Sequence, residues 1–120
     1  MKLKDLETYK LSMEIGDKVY SIAMEMDYFN KDKLSKQWVR ATGSISLNIS
    51  ECFGRYSYKD QRTFYYYSRG SLNEIVTCLQ KARKRELISD DEYNLLLNDH
   101  NTLGIKLNNF INSVNKLINQ

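Results

Sequence analysis

Ser44-Ile45-Ser46-Leu47-Asn48-Ile49-Ser50-Glu51-Cys52-Phe53-Gly54-Arg55 is the stretch on which the reading of this chain turns. Ile45, Ile49 and Cys52 share one apolar line at helical spacing. Asn48, Glu51 and Arg55 form a polar line beside it, and Gly43, Ser46, Leu47 and Ser50 a third face of mostly small side chains. Small side chains let a second backbone come close, and Asn and Glu next to an apolar line invite a specific hydrogen-bonded contact. The pattern is that of a helix built to meet another helix. Nothing in it reads as a nucleophile.

The rest of the chain agrees with a helical fold. It has 120 residues, 42% hydrophobic and 28% charged, with no Pro and only 5 Gly. That composition is globular, and a chain nearly free of obligatory breakers favours long helices. A single domain spanning residues 1–120 is expected, large enough to bury roughly two thirds of its unfolded surface. The net charge of +3 and a pI of about 8.8 permit an anionic partner without demanding one.

Outward from the opening stretch, four helices can be placed. The first runs from Asp5 or Thr8 to Asp27, with Tyr9, Met13, Tyr20 and Ala23 on one apolar line and Ile15, Val19, Ile22 and Met26 on a second. The polar cluster Asn30–Lys33 breaks the pattern. The second helix carries Leu34, Trp38, Ala41, Ile45, Ile49 and Cys52 and stops at Gly54. Ser57 caps the third, with Asp60 placed to reach back, and its core face is Phe64, Ser71, Leu72, Ile75, Leu79 and Ala82 up to the basic run Lys81–Arg85. Ser89 and Glu92 have the spacing of a capping box for the fourth, with Ile88 and Tyr93 as a hydrophobic staple. Tyr93, Leu96, Leu97, Leu103, Leu107, Phe110, Ile111, Val114 and Leu117 hold its inner face. Short connections make neighbours antiparallel, which predicts an all-α, antiparallel up-down-up-down four-helix bundle.

Several chemistries are absent. A di-iron bundle needs Glu-x-x-His pairs, and the only histidine, His100, has Leu97 at that spacing. One histidine also removes most general-base and triad schemes. Its place on the apolar line of the last helix makes it a core or interface residue. No zinc set, phosphate loop, catalytic residue, cofactor site or small-molecule substrate site is expected. Cys52 and Cys78 lie on apolar faces and read as reduced core residues. No apolar run approaches the ~18 residues of a membrane span, and Met1–Asp5 has no signal-peptide core, so no membrane partner and a cytoplasmic location are expected.

One helical face stands out. Arg62, Tyr66, Arg69, Asn73, Gln80 and Lys84 recur at three- and four-residue steps opposite the third helix's core line, with Tyr65-Tyr66-Tyr67 adding aromatic area. Arg with Tyr serves RNA recognition, guanidinium for phosphate and ring for bases. The same pair serves subunit interfaces. Subunit interface, nucleic-acid site and solvated surface are the three readings of this face, with Arg62, Tyr66, Arg69 and Lys84 the candidate nucleic-acid contacts.

These motifs resemble those of the proteins encoded within intervening sequences of bacterial 23S ribosomal RNA genes, known as four helix bundle proteins. The family pattern Ser-Ile-x-x-Asn-Ile-x-Glu-x-x-Gly-Arg is matched by Ser44, Ile45, Asn48, Ile49, Glu51, Gly54 and Arg55. A second block is matched by Phe64, Gly70, Ser71, Leu72 and Glu74, and the entry to the last helix more loosely by Leu87, Asp90 or Asp91, Glu92 and Tyr93. Ser46 stands where the family has Pro, which should straighten the second helix, and Cys52 where it has Gly. The resemblance implies a homopentamer around a central pore and kinship with the RNA-binding accessory proteins of diversity-generating retroelements.

The double apolar stripe of the first helix and the small-residue face from Gly43 to Ser50 independently predict a closed oligomer. Asn48 and Glu51 are expected to hold a buried contact, with Arg55 or a neighbouring Arg on the carboxylate. The functional expectation is a non-enzymatic, oligomeric bundle associated with RNA or a ribonucleoprotein. The competing class is a protein-interaction scaffold without nucleic-acid affinity.

Overall fold

With no Pro to interrupt them, the helices run long. The computed structural model describes residues 6–120 and contains α1 (Glu7–Met24), a short α2 (Tyr28–Asn30), a π-helical turn (Lys31–Ser35), α3 (Lys36–Phe53), α4 (Tyr58–Lys84) and α5 (Asp90–Ile118). The result is an all-α four-helix bundle of 51 × 21 × 21 Å. No strand occurs among the described residues. Helix α1 packs beside α3 and α5, and α4 beside the same two, so the α1–α3 side lies opposite the α4–α5 side. Cross-contacts give the directions: Lys18 with Asp99 and Glu7 with Lys106, Ser44 with Ser71 and Ile45 with Ser68, Arg62 with Asn115 and Arg69 with Asn108. Each of these pairs of helices is antiparallel.

The core is filled by Trp38, Ile45 and Ile49 of α3, Ile75 and Leu79 of α4, Leu96, Leu103 and Leu107 of α5, and Ile15 and Val19 of α1. All six core positions read for the second helix are buried. Cys52 and Cys78 are buried free thiols, and burial pushes the Cys52 thiol up to about 12. The α5 start is a complete capping box, Ser89 accepting the Glu92 N–H and Glu92 accepting the Ser89 N–H. At α4 only half of one forms: Ser57 accepts from Asp60, and no return bond is made.

Helix α4 closes in a Schellman motif. Leu87 N–H donates to Ala82 O at 2.9 Å and Glu86 N–H to Arg83 O at 3.0 Å, which places Glu86 at a φ of 58°. That conformation is natural for Gly, and a Glu holds it here.

Four sequence expectations need correction. The Asn30–Lys33 cluster does not break the chain; it is helical. Asp27 accepts the Asn30 N–H, Lys36 pairs with Asp32 at 2.9 Å, and the π turn inserts the extra residue that lets Leu34 point inward. Helix α1 spans Glu7–Met24, so Asp27 caps its successor instead of ending it; the alternative start at Asp5 lies outside the described residues. On α1 the buried line is Thr8, Ser12, Ile15, Val19 and Ala23, while Met13 and Tyr20 face out. On α4 the inward residues are Tyr65 and Ser68, and Phe64 and Ser71 are only half-buried. Tyr65 stacks on Phe110 with ring centroids 3.8 Å apart, and its hydroxyl meets Thr8 Oγ1 at 3.0 Å. That partner makes a fully buried Tyr acceptable at a place read as surface.

Candidate nucleic-acid interface

The motif at the end of α3 divides into a partly buried seam and an exposed corner. In the seam, Ser44 Oγ meets Ser71 Oγ at 3.0 Å, and Ser68 Oγ donates to Ile45 O at 3.2 Å. Asn48 Nδ2 donates to Ser44 O at 2.8 Å and lies within 3.1 Å of its hydroxyl. A serine Oγ reaches only one bond beyond Cβ, so these contacts require α3 and α4 to approach closely. The helix-contact reading of this stretch holds, within a single chain.

The corner is different. Glu51 is exposed and pairs with Arg55 at 3.0 Å one turn away, so the buried Asn48–Glu51 contact is not formed in this chain. The partner choice was right and the burial was not, because the polar line rotates to the rim of the α3–α4 contact. Arg55 also covers the Phe64 ring at 4.7 Å, and its carbonyl accepts from Gln61 Nε2 at 3.1 Å, tying the α3–α4 connection to both helices. Gly54 has an ordinary φ of −83°, and a Cβ at Gly70 would meet nothing within 4 Å. Glu74 is exposed on the following turn.

On α4 the basic and aromatic residues form a structured cluster. Arg69 lies over the Tyr66 ring at 4.9 Å, and the Arg62 guanidinium is 6.0 Å from the same ring's centroid. Each guanidinium is anchored from α5: Arg62 Nη1 donates to Asn115 Oδ1 at 2.7 Å and Arg69 Nη1 to Asn108 Oδ1 at 3.2 Å. A guanidinium has five N–H donors, and one bond to a neutral amide leaves both its charge and most of its donors available. Lys84 is exposed but stands fifteen residues beyond Arg69, roughly 22 Å along the helix. Tyr67 stays exposed, edge-on to Phe64.

The anchoring asparagines were missed in the sequence, although a signal was there. Arg62, Arg69, Val76 and Arg83 recur every seven residues on α4, and Asn94, Asn101, Asn108 and Asn115 do so on α5. Seven residues are nearly two turns, so each set keeps to one side of its helix. Antiparallel packing turns the two series into a ladder. Arg83 leaves it, covering the Tyr93 ring at 4.4 Å and pairing with Asp90 at 3.4 Å.

The opposite side of the bundle carries an apolar groove. Tyr20 and Met24 of α1 are more than half exposed and line a groove with Val39, rimmed by Lys31, Lys36 and Arg40. Towards the other end this groove continues over Met13, Gly16, Gly43 and Ser46. Among the described residues no three His, Cys, Asp or Glu could share a metal ion, and no helix is long and apolar enough to cross a membrane.

The fold is shared with a crystal structure of a protein of unknown function from the S23 ribosomal protein family of Bacteroides thetaiotaomicron VPI-5482. It matches with a TM-score of 0.77 at 22% identity, over 87% of this chain and 97% of that one. No curated protein matches the chain significantly. The family model described as 23S rRNA-intervening sequence protein matches residues 4–109, which takes in the α3 motif, the α4 cluster and most of α5. The chain belongs to the 23S rRNA-intervening sequence protein family.

Proposed function

We propose that this protein is a non-enzymatic bundle that assembles into a closed oligomer, of which a homopentamer is the form we infer, and binds RNA, alone or within a ribonucleoprotein, through the α4–α5 face. The observation that carries the reading is the Arg62–Tyr66–Arg69 cluster, with both guanidiniums held beside one ring by amides of the neighbouring helix. Fixing an arginine before the ligand arrives lowers the ordering cost of binding. A partly exposed ring beside two groups able to bind phosphate suits a base of a single strand. Lys84, roughly 22 Å along α4 from Arg69, would be a separate contact outside this cluster. The cytoplasm is the compartment consistent with such a partner.

Oligomerisation is supported by the groove lined by Tyr20, Met24 and Val39, apolar surface that the bundle itself leaves open. The test is retention of single-stranded RNA at low salt by wild type, by Arg62→Glu with Arg69→Glu, and by Tyr66→Ala. Charge reversal should abolish retention with the helical circular dichroism intact, since neither arginine is in the core. Tyr66→Ala should weaken single strands more than duplex, by roughly 1–3 kcal/mol if a base stacks there. Charge reversal that breaks the oligomer would identify the cluster as a subunit interface. A wild type that retains no RNA would leave the scaffold function.

A further inference from the structure

The Arg–Asn ladder between α4 and α5 stops after two rungs. Val76 stands where the third arginine would be, and Asn101 opposite it makes no side-chain hydrogen bond among the described residues. The gap is a notch lined by Val76, Asn73, Asn101, Gly104 and His100. A Cβ at Gly104 would rest in ordinary contact with Leu72 Cδ2 at 3.4 Å. His100 is 1% exposed. Its Nδ1 bonds the Leu96 carbonyl, which only accepts, so Nδ1 carries the proton and Nε2 presents a lone pair. That Nε2 is buried with no partner.

The notch is thus lined by groups able to accept, the amide oxygens of Asn73 and Asn101 and the unpartnered imidazole of His100, one seven-residue step beyond the Arg69–Asn108 rung. Arg40 and Arg85 are the two arginines with no ion pair, side-chain hydrogen bond or ring contact among the described residues. Arg40 stands on the rim of the apolar groove, on the side of the bundle opposite the notch. The heights agree: Lys18, two residues before Tyr20, pairs at 2.6 Å with Asp99, the neighbour of His100. Ile105, which lines the notch, is 62% exposed, and Leu95 further along α5 is 55% exposed, apolar area that matches the groove's Tyr20, Met24 and Val39. Exposed Asp91, one turn before Leu95, complements the cationic groove rim.

We propose that the notch receives Arg40 of a second copy of the chain, delivered when the α1–α3 groove of one subunit seats on the Leu95–Ile105 face of the next. Two different faces on opposite sides make a head-to-tail contact, which closes into a ring when successive subunits rotate. The inference rests on the oligomeric reading above and adds the faces and the residue that join.

The test uses two variants at exposed positions, Tyr20→Asp with Met24→Asp on the groove and Ile105→Asp on α5, with size measured by sedimentation. Each alone should be monomeric, and an equimolar mixture should give a 1:1 heterodimer and nothing larger, because only one intact contact remains per pair. Arg40→Gln should raise the concentration needed for assembly at least about tenfold, and Arg40→Lys, lacking the planar fork, should not rescue it. A monomeric wild type overturns the oligomeric reading and this inference together. A wild-type oligomer in which only one of the two faces matters, or in which Arg40→Gln assembles normally, overturns this inference alone.

Discussion

Replacing Ser68 with Ala and with Val separates the two things this residue does. Its Oγ donates to the Ile45 carbonyl of the neighbouring helix at 3.2 Å, and the residue is fully buried. That carbonyl lies inside α3, where it already accepts a helical N–H, so Ser68→Ala strands nothing and should cost about 0.5–1.5 kcal/mol. Ser68→Val loses the same bond and forces two methyl groups against a backbone that a single Oγ reaches. Overpacking adds about 1–3 kcal/mol, for a total of roughly 2–4 kcal/mol. Urea denaturation of both variants reads the difference, and melting temperatures should separate by about 4 °C per kcal/mol. If Val proves no worse than Ala, α3 and α4 have room at this level. The small-residue seam would then not be what sets their approach.

Further predictions follow from single residues. Glu51→Ala removes an exposed pair with Arg55 and should cost the isolated chain less than about 1 kcal/mol in denaturation. A loss of several kcal/mol would mean that assembly buries the carboxylate. Glu86→Gly should raise stability by about 1 kcal/mol, since it relieves the left-handed φ of 58° at the α4 terminus; destabilisation would refute the strain argument. Burial lowers the His100 pKa from 6.5, against the smaller opposing effects of the Leu96 carbonyl and Asp99. The unfolded chain therefore takes up this proton first as pH falls. The ring's contribution is complete above about pH 6.5 and is lost below it, at no more than about 1.4 kcal/mol per pH unit. Thermal melts of wild type and His100→Gln between about pH 5 and 7.5 should show that slope only in wild type.

The core of α3 was legible because Leu34, Trp38, Ala41, Ile45, Ile49 and Cys52 keep helical spacing with no competing apolar line. The α5 start was legible because a capping box has a fixed spacing and chemistry. Tyr65 was misplaced because the core line was begun at Phe64, although Tyr65 keeps a seven-residue step with Leu72 and Leu79; the Phe110 ring and Thr8 hydroxyl hold it there. The Asn30–Lys33 cluster misled because local pairs with Asp27 and Asp32 satisfy it within a helix. In the candidate site, Arg62, Tyr66 and Arg69 were found from one helix's periodicity. Asn108 and Asn115 were not, since solvated asparagines and anchoring ones are identical until a second helix is laid beside them. Lys84 satisfied the same periodicity while lying too far along α4 to join the cluster. The fifteen residues between Arg69 and Lys84 already place them roughly 22 Å apart on a helix, so this separation was legible in the sequence.

The most direct measurement of the account is the salt dependence of wild-type binding to a fluorescent single-stranded RNA. Phosphate contacts from Arg62 and Arg69 predict affinity that is nearly indifferent to sequence, with log K falling linearly in log salt at about −0.7 per phosphate neutralised. Arg69→Gln should make that slope shallower by about one such contact per subunit engaged. No binding even at about 50 mM salt, or binding whose salt slope is unchanged by Arg69→Gln, would contradict it.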